Sequence, residues 1–505
     1  MLQKISEIKQ IIEKNQSSSP ISFLATEQEL LISSHIDRLC KEKKVKRGDV
    51  GFAVSDVFRL LIILPLLMMK TVDSLYKSTY KTAAEMQKDV IYRFQNNERI
   101  PWRRLLLYVV KTFLKKTRTA EKSDLPTVFI LDDTAVAKRG KRIEGVSTVH
   151  NHSENKYHLG YKAQALGYFD GMSFLPLDFS LHEEKKLYLK DRKRQYKKDR
   201  HQSSAGAKRK EELSMKKSTS AIKMLKRVTK NGIRASYVLA DSWYFGEDLI
   251  KTALKLKSDE GEIMHYVGGV KRHVNFISNG KKRSVRGHKK HAIQKKHVNV
   301  CRSWRNCRYV QLSVTYRNVP MTLFITRLPG HKNWRAFVTT DTSLSFEAFI
   351  QLYSMRWQIE VFFKETKQLL GLGECQSRTF DAQIAAATRS FIIYIMLAYY
   401  KRVVRYETIG GLFRSLSESE RERNLAERIW EAVLTFLRLG VNVLFWESQE
   451  VVLRKKCDMI LKTIDSLLQQ RDIDGGFNND LTTKICDFQI SALSGACKDT
   501  ALASS

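Results

Sequence analysis

The chain has 505 residues, 43% of them hydrophobic and 28% charged, which is enough apolar chain for roughly two to four domains with real cores and excludes a wholly disordered protein. Lys and Arg number 88 against 53 Asp and Glu, a formal charge of +35 that favours a polyanionic partner, nucleic acid above all, over an acidic one. Seven cysteines with no Cys-x-x-Cys exclude a disulfide framework and a zinc ribbon.

The opening "MLQKISEIKQIIEKNQSSS" lacks the apolar stretch of a signal peptide and predicts a short amphipathic helix followed by a Ser-rich linker. The expected location is therefore the cytoplasm, in association with the nucleoid. Residues 1–120 read as a helical N-terminal domain with its first core helix at 52–70. Within it, 81–116 predicts two basic amphipathic helices broken near Asn96, Asn97 and Pro101, either a DNA-gripping helix-turn-helix or a plain helical bundle. The oiliest runs, 57–70 and 391–401, are too short to span a bilayer and are expected as buried helices, with no membrane partner.

At 126 the texture changes. "PTVFILDDT" is a compact β-branched and aromatic run closed by Asp132 and Asp133, a buried strand with acids at its C-terminal edge. "GYKAQALGYFDGMSFLPLDFSL" (160–181) predicts two antiparallel strands joined at Asp170-Gly171. Residues 182–232 are so charged that they are expected as a solvated arm with a helix behind it, a phosphate contact or a plain surface loop. "ASYVLADSWYFGEDLIKTALK" (235–255) repeats the first pattern, a buried strand ending in Asp241 and then a helix. Residues 263–341 alternate as a β meander with basic turns; His297, Cys301 and Cys307 lie close together there, with ordinary packing the default and zinc the alternative. From 376 to about 470 the pattern is again helical, and from 471 it is polar and weakly patterned.

Before that last region comes a helix expected at 345–370. At about 100° per residue, Tyr353, Arg356, Glu360, Lys364 and Lys367 fall in one sector about 80° wide, opposite a mostly apolar surface. A lone Glu among bases is usually a surface ion pair of little consequence. Here, however, Asp132 and Asp241 also end apolar strands, where side chains emerge at a sheet edge and sites are built. Three carboxylates from separate elements suit hard divalent ions, two of which could activate an attacking hydroxyl and stabilise a leaving oxygen in phosphodiester chemistry. The bases would then neutralise the phosphates of a DNA strand.

The spacing Tyr353, two residues, Arg356, three residues, Glu360, six residues, Lys367 resembles the Tyr-Arg-Glu-Lys signature of the DDE transposases of the insertion-sequence-4 group. The Asp132-Asp133-Thr134 strand end, the strand ending in Asp241 and the β-rich stretch before Glu360 are similar to that family over roughly residues 85–400. The resemblance implies an α/β fold with an RNase H-like catalytic core (121–262 and 342–400) and a β-rich insertion (263–341). Flanking these would be the helical N-terminal DNA-binding domain (1–120) and a helical C-terminal region with a polar tail (401–505). It implies Asp132, Asp241 and Glu360 as the metal-binding triad for Mg²⁺ or Mn²⁺, two ions in all. The family pattern of one residue between Asp and Thr favours Asp132 over Asp133. Tyr353, Arg356 and Lys367 would hold the element's end, and helix geometry adds Lys364 as a DNA contact outside the signature. The implied activity is that of a homodimer that binds double-stranded DNA at terminal inverted repeats, cuts there and joins the 3′ ends to target DNA. Trp304 or Trp334 is a candidate to stack on a displaced base, with core packing the alternative. The competing readings are a structure-selective RNase H-like nuclease and a non-catalytic DNA-binding derivative.

Overall fold

The computed structural model describes residues 29–45, 51–66, 68–69, 71–77, 86–117, 123–151, 154–185, 187–404 and 406–417. The amphipathic helix expected before residue 20 and nearly all of the C-terminal region after 417 lie outside the described residues. The chain forms two compact units. One comprises Met1–Leu30, Leu66–Met68 and Gly411–Ser505; its described part includes a helical stretch, 411–417, in which Leu412, Phe413 and Leu416 are buried. The other, Leu31–Pro65 with Met69–Gly410, carries the sheet and the carboxylates.

This second unit begins with helices α1 (Glu29–Glu42), α2 (Val54–Leu66), α3 (Val72–Tyr76), α4 (Lys88–Gln95) and α5 (Trp102–Thr117). α4 and α5 break between Asn96 and Pro101 as their sequence leads one to expect, because proline disfavours helix at the residue before it. α5 turns Trp102, Leu105, Leu106, Val109, Val110 and Phe113 inward, so it is a layer of the core.

Strands β1 (Val128–Ala137), β2 (Ser147–Asn151), β3 (Lys156–Phe169) and β4 (Phe174–His182) follow. β1 pairs antiparallel with β3, and β3 with both β2 and β4. The expected Asp170-Gly171 hairpin is present. The Asp170 carboxylate accepts the N–H groups of Met172 and Ser173 at 3.0 and 2.7 Å, and Gly171 takes φ +88°, where glycine pays no Cβ penalty.

Helices α6 (Leu189–Lys193) and α7 (Ala205–Glu211), a 3-10 turn (Glu212–Ser214) and α8 (Lys217–Lys230) occupy the stretch expected as a solvated arm. That expectation is met only in part: Lys190, Arg192, Lys193, Arg194 and Lys197 are exposed, whereas other charges of the stretch are consumed inside. Arg209 is 6% exposed and reaches Glu212 at 3.3 Å. Arg200 binds Glu144 at 2.6 Å and Asp381 at 3.1 Å, and Arg227 binds Asp178, itself fully buried, at 2.8 Å. Buried acids elsewhere in the chain supply the partners that a reading of the local segment does not see.

β5 (Tyr237–Ala240) runs parallel to β1, α9 (Glu247–Lys255) follows it, and β6 (His265–Gly269) is parallel to β5. Next come β7 (Asn275–Ser278), β8 (Lys281–Ser284), α10 (Val285–Gln294), β9 (Asn299–Cys301), β10 (Cys307–Tyr316), β11 (Val319–Arg327) and β12 (Arg335–Thr339). β12 pairs antiparallel with β6, so the twelve strands form one mixed sheet, ordered β2-β3-β1-β5-β6-β12-β11-β10-β7-β8, with β4 on β3 and β9 on β10.

The helix expected at 345–370 is two helices, α11 (Phe346–Ser354) and α12 (Trp357–Gln368). At the junction the backbone N–H groups of Met355, Arg356, Gln358 and Ile359 bond three residues back instead of four. This tightens the turn and shifts the phase assumed for a single straight helix. α13 (Phe380–Val404) closes the unit; with 25 residues it outruns the short oily segment that marks it in the sequence. Among the described residues it is long and apolar enough to cross a membrane, yet 94% of that window is buried within the protein.

Every residue of β4 is buried, which requires cover on both faces of the sheet. Adjacent residues of β1 show how that cover is divided: Asp132 reaches α12, and its neighbour Asp133 reaches α8. Because successive side chains of a strand point to opposite faces, α12 and α8 lie on opposite sides of the sheet.

Candidate active site

Asp132 lies on β1, and Asp241 follows the last residue of β5. The parallel register pairs Leu131 with Ala240, so the two acids continue neighbouring strands from the same level. Asp132 Oδ1 accepts the N–H of Asp133 at 2.8 Å, and Asp241 Oδ1 accepts that of Trp243 at 2.9 Å, which fixes both carboxylates near the backbone. Burial pushes the Asp132 carboxyl up; Arg356 opposes this and Asp241 reinforces it, and the balance lies at about 7. Asp241 is also raised, first by burial, with Asp133 adding to the push. Two acids whose charged forms are disfavoured by burial and by neighbouring charge gain from an added cation.

Asp133 has a different environment. It binds Lys217 at 2.8 Å and Lys162 at 3.3 Å, and accepts the Tyr244 hydroxyl at 3.2 Å. Burial raises its carboxyl, but Lys217 and Lys162 outweigh burial and hold it below the usual range. Its charge is already answered.

Arg356, at the α11–α12 junction, joins the elements. One guanidinium nitrogen binds Asp132 Oδ2 at 2.7 Å and another binds Glu360, one turn along α12. Asp132 and Glu360 thus share one cation although the helix lies far along the chain from β1. Tyr353, half-buried at the end of α11, packs against Phe337 and Phe349, and burial pushes its hydroxyl up to about 12. Lys367 donates from Nζ to Thr134 Oγ1 at 2.6 Å, so the last residue of the helical signature meets the Asp-x-Thr motif, which lies within β1 and not at its end. Burial, then Lys162, lower the Lys367 ammonium. Lys364 stands apart. It is exposed, and among the described residues it makes no hydrogen bond or ion pair.

Among the described residues no three His, Cys, Asp or Glu side chains lie close enough to hold a metal ion as they stand. The reason at the acids is visible: the Arg356 guanidinium binds both Asp132 and Glu360. The donor chemistry nonetheless fits a hard divalent cation, since the set is all carboxylate oxygen and already shares a positive group. At the other cluster raised by the sequence, Cys301 and Cys307 face each other across β9 and β10 as buried free thiols and His297 is exposed, so ordinary packing describes it. Trp304 is 39% exposed, and Trp334 is half-buried with Arg327 over its ring.

Comparison with known families bears on this arrangement directly. Residues 58–306 match the family model of the DDE superfamily endonucleases. The matched span contains Asp132, Asp133 and Asp241 and stops before Glu360, which the structure brings to Asp132 through Arg356. No curated protein matches the chain. The match supports a nuclease of the DDE transposase kind, for which DNA is the substrate and divalent metal ions are the usual cofactors. The large mixed sheet with helices on both faces is consistent with a DDE nuclease fold.

Sequence reasoning missed Lys162, Lys217, Tyr244 and Trp243. Lys162 carried a readable signal, a lone cation inside the apolar strand "GYKAQALGYF", and it is 2% exposed. Trp243, two residues after Asp241, is 60% exposed with Lys271 4.0 Å and Lys217 5.4 Å from its ring. The pattern of alternating apolar residues has no place for such a residue.

Proposed function

We propose that this chain is a DDE transposase of the insertion-sequence-4 group, a metal-dependent endonuclease and strand transferase that cuts at terminal inverted repeats and joins the freed 3′ ends to target DNA. The observation that carries this reading is Arg356 bound to both Asp132 and Glu360, which gathers the helical signature onto the strand acids. The strand order β4-β3-β1-β5-β6, with β1 between an antiparallel β3 and a parallel β5, supports an RNase H-like core. The β-rich insertion is proposed at 263–341, and its first strand, β6, joins that order. The helical N-terminal region, the core, the insertion and the C-terminal region remain the proposed domains, with a homodimer on DNA in the cytoplasm as the working assembly.

In this reading Asp132, Asp241 and Glu360 hold the divalent ions, Mg²⁺ or Mn²⁺. When bound, such ions polarise the phosphodiester and lower the pKa of the attacking water or hydroxyl. The chain's own residues do the positioning. Asp133, neutralised by Lys162 and Lys217, anchors the middle of β1 and is the structural member of the acid pair. Tyr353, Lys367 and Arg356 border the acids, and their hydroxyl, ammonium and guanidinium groups would bind the phosphates of the strand to be cut. Lys364 reaches a phosphate from the exposed part of α12.

The test is cleavage of labelled duplex carrying the inverted repeats that flank the gene. Wild type is expected to cut with Mg²⁺ or Mn²⁺ and to join the ends to a second duplex. Glu360→Gln should lose several kcal/mol of transition-state stabilisation, roughly a thousandfold in rate, while still binding DNA. Full cutting by Glu360→Gln would sink the reading; cutting without joining would leave a nuclease and remove the transposase.

A further inference from the structure

From residue 263 to residue 340 the chain contains no Asp or Glu at all, while Lys and Arg recur throughout. The segment lies within one compact unit and builds the far side of the sheet, with β8 as its last strand. The β7–β8 hairpin turns at Asn279-Gly280, both at positive φ (49° and 71°), and α10 follows directly, capped by the Ser284 hydroxyl on the Gly287 N–H. Phe276, Val285, His288 and Ala292 fill the small core beneath. What this leaves outside is cationic. Lys281, Lys282, Arg286, Lys290, Lys295 and Lys296 are all exposed. Among the described residues, Arg317, paired with Glu247 at 3.7 Å, is the one cation of the segment in an ion pair.

We propose that this acid-free module is a second DNA-binding surface, which grips duplex DNA through its phosphates, without reading bases, beside the segment being cut. Basic surfaces normally intersperse acids, which limit self-repulsion; a fold that keeps unpaired cations together across so long a stretch carries an electrostatic cost that a polyanion relieves. Charge complementarity selects the phosphate backbone, and exposed lysines on a hairpin and a helix suit phosphates better than base edges. The segment also begins beside the acids. Lys271, the first cation of the segment, lies over the ring of Trp243, which bonds Asp241 through its backbone N–H. The module is thus joined to the site of the carboxylates by its first cation. This proposal rests on the reading of the protein as a DNA-cutting enzyme, and it adds where the uncut duplex lies.

The test uses the full chain and a duplex of about 30 bp with no inverted repeat, with binding followed by fluorescence anisotropy between about 50 and 200 mM salt. The variant Lys281→Gln/Lys282→Gln/Lys290→Gln/Lys295→Gln changes exposed side chains only, so its thermal midpoint should match wild type. Each phosphate that is no longer neutralised lowers the slope of log K against log salt by about 0.9, so a fall of about 2 to 4 is expected, with affinity at about 100 mM salt down at least tenfold. An unchanged slope and affinity overturn the proposal. So does unchanged duplex binding accompanied by weaker binding to vesicles of anionic lipid, which would assign the surface to a membrane. If wild type cuts no end DNA while the slope falls as expected, the transposase reading fails and this surface stands; if metal-dependent cutting persists with an unchanged slope, the surface alone fails.

Discussion

Around Asp132 and Asp133 the cations are answered: Arg356 by Asp132 and Glu360, Lys162 and Lys217 by Asp133, and Lys367 by the Thr134 hydroxyl. Across residues 263–340 the same residue types face outward with no acid in their own segment. Only the second region adds much to the net charge of +35, because the cations of the first are matched by carboxylates. In the first, charge is structural and positional, and removing one partner strands the other in a poorly solvated place. In the second, charge is already solvated, and its removal costs the fold little while weakening attraction for a polyanion.

The largest effect should come from breaking a pair on the structural side. Asp133→Ala leaves Lys162, 2% exposed, with only Glu184 at 3.8 Å to answer its charge, and denaturant unfolding should show a loss of roughly 3–5 kcal/mol. Adding Lys162→Met should return part of it. A loss under about 1 kcal/mol would mean that these charges are solvated as the outer ones are, and the contrast between the regions would collapse.

Acid pH tests the same rule by making a cation where no carboxylate is bonded to receive it. His182 is buried, hydrogen-bonded to Ser180, Gln164 and the Met215 carbonyl, and burial pushes its imidazole down from 6.5 to about 4. The unfolded chain takes up this proton first, so the stability His182 confers is present above about 6.5 and is lost as pH falls toward 4. The loss is on the order of 3 kcal/mol by linkage. His182→Gln should show a shallower decline of stability between those pH values; an equal decline would assign the acid sensitivity elsewhere.

The smallest effect is expected at Lys364, the outward cation on the same helix as Glu360. Lys364→Ala should change stability by less than about 0.5 kcal/mol and lower the salt slope of DNA binding by about 1. A larger loss of stability would place Lys364 with the paired interior and sharpen the boundary between the two kinds of charge.

Much of this arrangement is legible in the chain. The apolar run before Asp241 announces a strand with an acid at its end, and Asp170-Gly171 announces its hairpin; β1, however, runs on through Asp132 and Asp133 to Ala137, so those acids lie mid-strand where the sequence led one to expect a strand end. The spacing of Glu360, Lys364 and Lys367 survives because all three lie within α12. What local pattern does not supply is partnership over long range. The junction at Met355 and Arg356 has no glycine or proline to mark it, so the pattern reads as one helix where two exist. The choice between Asp132 and Asp133 depends on which side of the sheet α8 and α12 cover, and no window of sequence contains that. β6 reads like the meander after it until its parallel partner β5 is seen, and within the charged stretch 182–232 nothing local marks Arg200, Arg209 and Arg227 as the cations that Asp178, Glu144 and Asp381 draw inside.

The pairing of β12 with β6 makes the sheet a ruler. From β1, which bears Asp132, to β8, which bears Lys281 and Lys282, the order crosses seven inter-strand steps. At about 4.8 Å each these span at most roughly 34 Å, the rise of about one turn of duplex DNA. Backbone hydrogen bonds set that length, and side chains do not adjust it. A phosphate held beside the acids would therefore have its counterpart one helical turn away over the basic edge, so that the same side of the double helix meets the protein twice.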